Sequence, residues 1–138
     1  MKTLTLVVVL FLGFGSRLGA QTNEIDLNFA FTQMKANGLS PFARLLYPGD
    51  QKNAQQLVDQ LGPLAQSAGE FNSYELLSRH FLTKRIERVV IVIYFENYPI
   101  YMRIDYYENS KNKICLPAKF SKDAAEILPF DVISAAGK

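Results

Sequence analysis

Tyr101, Arg103, Asp105 and Tyr107 recur at every second position of one segment, with Ile100, Met102, Ile104 and Tyr106 between them. Successive side chains of a strand leave on opposite faces, so this segment reads as a half-buried strand with one apolar and one polar face. The polar row would run for about 20 Å at ~3.3 Å per residue. A guanidinium offers a fork of donors, a carboxylate accepts, and a phenol does either while presenting an aromatic body. If the sheet curves round it, such a row can bind a polar ligand, which makes Tyr101, Arg103, Asp105 and Tyr107 the candidate ligand-binding residues. The same alternation is also the ordinary state of a half-buried antiparallel sheet, with Arg103 and Asp105 pairing to neighbouring strands. Residue types alone leave both readings open.

The remaining chemistry is sparse. His80 is the single histidine, and in a regular strand Glu75, five residues before it, would face the other way. That removes the nearest carboxylate a general base would use and leaves no second metal ligand. There is no Gly-rich phosphate loop, no serine elbow and no Cys/His metal spacing. Asp50, Asp59 and Glu70 are scattered. The cluster Lys84, Arg85, Glu87 and Arg88 mixes signs without an aromatic platform and reads as a solvated strand entrance. These patterns assign no catalytic residue, no metal and no cofactor. The leading expectation is non-catalytic binding of a small molecule or a protein. The alternatives are an enzyme built on Tyr101, Arg103 and Asp105, or a homodimerisation module that uses the exposed sheet face.

The elements that must position these residues fit one domain in 138 residues. Residues 1–20 stand apart: Lys2, then an apolar run from Leu4 to Phe14, then the small residues Ser16, Gly19 and Ala20. This is the pattern of a secretory signal peptide cleaved after Ala20, and the run is too short for a membrane span of ~20 residues. The expected division is a signal peptide over 1–20, an α+β domain over 21–128 and a weakly ordered tail over 129–138. The product would be periplasmic or secreted, with no membrane span after cleavage. Lys2 and Arg17 leave with the signal, so the 15 basic residues become 13, against 13 acidic ones. A near-neutral domain offers no electrostatic footprint for nucleic acid. Cys115 is the single cysteine; it allows no internal disulfide and reads as a small apolar residue within a strand.

Apolar spacing predicts a helix ending at Asn37-Gly38, with Thr22 or Asn23 as cap and Asp26 in its first turn. A short helix follows from Ser40-Pro41, with Pro41 at its first position. A third runs over 51–66, with Gly62-Pro63 kinking or ending it near Leu61. Arg85–Glu96 is the most β-branched run and reads as an interior strand covered on both faces, at least in part. Pro99–Glu108 is the alternating strand. In Lys113–Phe120, Ile114, Leu116, Ala118 and Phe120 would form the apolar face and Cys115 the opposite one, with Pro117 marking an edge or a bulge. Ser121 would cap a last short helix through Leu128. Asn72–Leu82 suits a capped helix by local propensity, or a strand by the need of Arg85–Glu96 for a partner.

Over Gly69 to Leu128, the segments Ser73-Tyr74-Glu75-Leu76, Tyr94-Phe95-Glu96-Asn97-Tyr98-Pro99 and Arg103-Ile104-Asp105-Tyr106-Tyr107 carry a resemblance. The chain resembles small exported bacterial proteins with an NTF2-like (cystatin-like) α+β fold. The tryptophan common in the following strand of such proteins is absent here, where Ile114 and Cys115 stand. The resemblance implies helices packed on an antiparallel sheet of three to four strands, with Asn72–Leu82 as the first strand. It implies no activity, because the fold hosts enzymes and binders alike.

Overall fold

The computed structural model describes residues 26–128. The expected signal peptide, the caps Thr22 and Asn23, and the tail 129–138 lie outside the described residues. Helix α1 spans Leu27–Asn37, and its N-cap is Asp26, whose carboxylate accepts from the Phe29 amide at 3.0 Å. Gly38, at φ +88°, closes α1 and opens α2, Leu39–Leu46; that left-handed turn favours glycine. Pro41 therefore falls at the third position of α2, where the amide it lacks has no intrahelical acceptor in any case.

Helix α3, Gln51–Ala68, is capped by Asp50 and passes through Pro63 rather than ending near Leu61. Pro63 forfeits one helical hydrogen bond. Continuing the helix buries Ala68 and packs Leu64 and Ala65 against the core, and tertiary packing of this kind usually outweighs local propensity.

The Asn72–Leu82 segment is a strand. Strands β1 (Phe71–Thr83), β2 (Ile86–Phe95) and β3 (Pro99–Glu108) form an antiparallel meander. The far edge of β3 is shared by two short strands, β4 (Lys113–Cys115) beside Tyr106–Glu108 and β5 (Lys119–Ser121) beside Tyr101–Arg103. The single last strand expected over Lys113–Phe120 is thus broken around Pro117. The Tyr47 hydroxyl holds the break, donating to the Leu116 carbonyl at 3.1 Å and accepting from the Ala118 amide at 2.7 Å. Helix α4 (Ala124–Ile127) ends the described chain. Its cap is Asp123, which accepts from the Ala125 amide; Ser121, expected to cap it, instead accepts from the Asp123 amide through Oγ.

Helices α1 to α3 supply the buried partners of one sheet face. Phe31, Phe42, Leu46 and Leu61 join Val89, Ile91 and Ile93 of β2 and Ile100, Met102 and Ile104 of β3 in one core. Phe31 stacks on Tyr74 with ring centroids 4.1 Å apart. Val89 to Ile93 is buried without interruption, as the apolar run predicts.

Irregularities in pairing move side chains between faces, three of them within β1. In β1, Leu76 pairs with Ile91 and Ser78 with Val90, so Leu77 is an extra residue. Glu75, opposite Val92, and His80, opposite Arg88, therefore share a face, contrary to the regular-strand expectation. Their partners are four positions apart on β2, about 13 Å at ~3.3 Å per residue, so they form no pair. The Pro117 break acts likewise. Cys115, opposite Tyr106, is buried on the helix side, and Ile114 is exposed beside Tyr107, the reverse of the expected assignment for this end of the strand. Phe120, opposite Met102, regains the core side.

Candidate functional site

The face of the sheet opposite the three helices carries all four candidate residues. Cross-strand register arranges it as rungs: Glu75, Val92, Tyr101 and Ser121; then Ser78, Val90, Arg103 and Lys119; then His80, Arg88 and Asp105; then Ile86, Tyr107 and Ile114. Tyr94 extends the first rung, its hydroxyl donating to Glu75 Oε2 at 2.9 Å. That hydrogen bond holds the Tyr94 phenol above its ordinary pKa. The floor is apolar: Val90 is 0% and Val92 3% exposed.

Sequence alternation thus places Tyr101, Arg103, Asp105 and Tyr107 on one surface, each half-buried, but they do not act as one set. Asp105 belongs to Arg88. Arg88 Nε donates to Asp105 Oδ1 and Nη2 to Oδ2, both at 2.8 Å. This two-pronged pairing is the strong form of an ion pair. Hydrogen bonding to Arg88 is the main reason the Asp105 carboxyl titrates below its ordinary range; Arg103 and Lys119 add smaller pulls in the same direction. A carboxylate held ionised on both oxygens is a poor proton acceptor. Arg103 faces Lys119 across the β3–β5 ladder, cation against cation.

Sequence patterns missed three participants. Arg88 reads as part of a strand entrance, Lys119 as a residue on the non-apolar face of the last strand, and Tyr94 as the end of an apolar run. The signal that finds Arg88 is the Asn97-Tyr98 turn: once β2 and β3 fold back there, position 88 comes opposite position 105.

A second polar group lies on the helix side, at the end of the meander flanked by β4. Glu87 is 6% exposed. Its Oε1 takes Arg79 Nε at 2.8 Å, and its Oε2 takes the Lys113 ammonium. Lys113 also stands 5.4 Å over the Tyr106 ring. The Tyr106 hydroxyl is buried without a hydrogen-bond partner, and burial raises its pKa strongly. Burial likewise raises Tyr47 and pushes the Cys115 thiol up to about 12, leaving that thiol unfit as a nucleophile.

Clefts open elsewhere. One of about 470 Å³ lies between α2 and α3 and is lined by Ser40, Arg44, Gln51 and Gln55. Another, about 220 Å³, lies beside α1 and β1 and includes Phe31, Lys35, Phe71 and Tyr74. A third, about 190 Å³, lies between the α2–α3 turn and β4 and includes Tyr47, Asp50, Lys113 and Cys115. None of these includes Tyr101, Arg103, Asp105 or Tyr107. Among the described residues, no group of three His, Cys, Asp or Glu side chains is placed to hold a metal ion, and no helix is long and apolar enough to cross a membrane. Compared with known proteins, the chain matches no family model, no curated protein and no solved structure.

Proposed function

We propose that this chain is an exported, non-catalytic binding domain of NTF2-like (cystatin-like) architecture, whose contact surface is the sheet face bearing Tyr101, Arg103 and Tyr107. One observation carries the reading. The carboxylate of the candidate row, Asp105, is fully engaged by Arg88, and the Glu75 carboxylate on the same face accepts from the Tyr94 hydroxyl. What remains is tyrosine and arginine over a buried valine floor, the side-chain types enriched where proteins meet. The open sheet supports a protein partner over a small molecule, since small-molecule sites enclose most of their ligand in a cleft. The order of elements, helices first and then a long antiparallel meander, supports the NTF2-like architecture. The lysine, apolar run and small residues over 1–20 support export.

The test combines location with contact. Fractionation of the producing cells should place the protein outside the cytoplasm with its N-terminus at Gln21. Amide exchange on the exported form, mixed with the proteins of its own compartment, should then show protection confined to β2, β3 and β5. Tyr101→Ala with Tyr107→Ala should abolish that protection without lowering the melting temperature by more than a few degrees. Protection that survives the double variant would refute the assignment of the surface.

A further inference from the structure

Arg103 and Lys119 face each other directly across β3 and β5, on the face away from the core. Like charges opposite one another in a ladder destabilise the sheet. Among the described residues, neither cation has a carboxylate at ion-pair distance. The nearest candidate on their own face, Asp105, spends both oxygens on Arg88. The carboxylate of Asp123, which follows β5, caps the Ala125 amide. Tyr101 stands one rung to one side of the pair, and Tyr107 two rungs to the other. A mixed-sign face that served only solubility would gain by placing a carboxylate opposite Arg103, as it does at Arg88.

Resting on the reading of this face as the contact surface, we propose that its partner is an acidic polypeptide segment. Its carboxylates would meet Arg103 and Lys119 while apolar side chains between them lie on Tyr101 and Tyr107. Two cations side by side on an open face suit successive acidic residues of a chain, and the flanking rings offer amphipathic contact area on both sides. The ionised Asp105 offsets part of the repulsion between Arg103 and Lys119 from a distance, and a bound acidic partner would relieve the rest.

The experiment is fluorescence anisotropy with two labelled synthetic peptides, one of glutamates alternating with leucines and one with glutamine in place of every glutamate. The full-length exported protein should bind the acidic peptide at least about tenfold more tightly than the neutral one, and the difference should shrink as salt is raised. Arg103→Glu and Lys119→Glu should each weaken acidic-peptide binding about tenfold. Lys119→Glu should at the same time raise the melting temperature of the free protein, a gain that loss of fold could not produce. Equal binding of the two peptides, no binding of either, or unchanged acidic-peptide binding in the charge-reversed variants would overturn the proposal. A concentration-dependent dimer in sedimentation that dissociates in Arg103→Glu would overturn it in favour of a second copy of the chain. Neutral-peptide binding that Tyr101→Ala abolishes while charge reversal leaves it intact would overturn the acidic partner alone and leave the contact surface standing.

Discussion

Arg88 and Asp105 face each other across β2 and β3, joined by two parallel hydrogen bonds of 2.8 Å. This pair decides what the polar row on β3 can do, because it turns the one carboxylate of that row into a strut between strands. The strut also has a pH signature. Arg88 holds the folded-state carboxyl of Asp105 below its ordinary value, so the pair stabilises the fold above the unfolded value near pH ~3.9. That stability disappears as pH falls through the lower, folded-state value.

Asp105→Asn should therefore cost about 1 kcal/mol at neutral pH, a modest figure because solvent reaches the pair. The cost should shrink as pH falls below the ordinary carboxylate value and vanish once the pH has passed through the lower folded-state value, where the wild-type carboxylate is itself protonated. Urea titrations at neutral and acid pH measure both. An equal cost at the two pH values would mean that Asp105 acts by packing and not by charge.

Glu87 makes a sharper demand. It is buried between Arg79 and Lys113, and the Lys113 side chain is itself 15% exposed. Glu87→Gln leaves a largely buried ammonium without its counter-charge, which should cost about 2–3 kcal/mol. Lys113→Met in the same chain should recover part of that loss, since removing both charges of a buried pair is far cheaper than removing one. The unfolding midpoints of the wild type, Glu87→Gln, Lys113→Met and the double variant together give the coupling, and strict additivity would dissolve the pair.

Pro63 is an uncompensated break inside α3. It is exposed, and the helix runs on past it to Ala68. Pro63→Ala restores one helical hydrogen bond and removes a steric clash with the preceding turn. It should raise stability by about 1–3 kcal/mol, read as a higher melting temperature. A neutral or destabilising result would show that the proline shapes the helix to its seat on the sheet.

These cases mark where sequence reasoning ran true and where it failed. The alternation Ile100 to Tyr107 placed every side chain of β3 on its observed face, because an uninterrupted strand has a period of two and nothing intervenes. The run Val89 to Ile93 announced a strand covered on both faces for the same local reason. Asn72–Leu82 was ambiguous because its helical propensity is real, and only pairing with β2 overrides it. Two face assignments failed at single extra residues. Leu77 in β1 brings His80 to the face of Glu75, and the Pro117 break turns Cys115 inward. The proline signals a break but not the parity on its far side, and nothing about Leu77 signals a bulge. The Arg88–Asp105 strut was invisible to residue counting because it exists only once the β2–β3 turn sets the register.

The inward turn of Cys115 yields the last prediction. A cysteine on the solvent side of an edge strand would titrate near pH ~8.5 and alkylate readily. Burial pushes this thiol up to about 12, so at pH 8 it is almost wholly protonated as well as shielded. Iodoacetamide should label the native protein roughly a hundredfold or more slowly than the guanidinium-unfolded chain. The linkage runs to the alkaline side. The unfolded thiol ionises from about pH 8.5 and the folded one does not, so the contribution is complete below that pH and declines as pH rises toward the folded value. Tyr47 and Tyr106, raised by the same burial, decline only above pH ~10, where unfolded tyrosines ionise. Between those two values the thiol acts alone. Cys115→Ala should accordingly flatten the loss of stability between about pH 8.5 and 10 while leaving the steeper loss above it. Rapid labelling of the native protein, or an unchanged slope in that window, would return Cys115 to the solvent face and with it the original reading of the last strand.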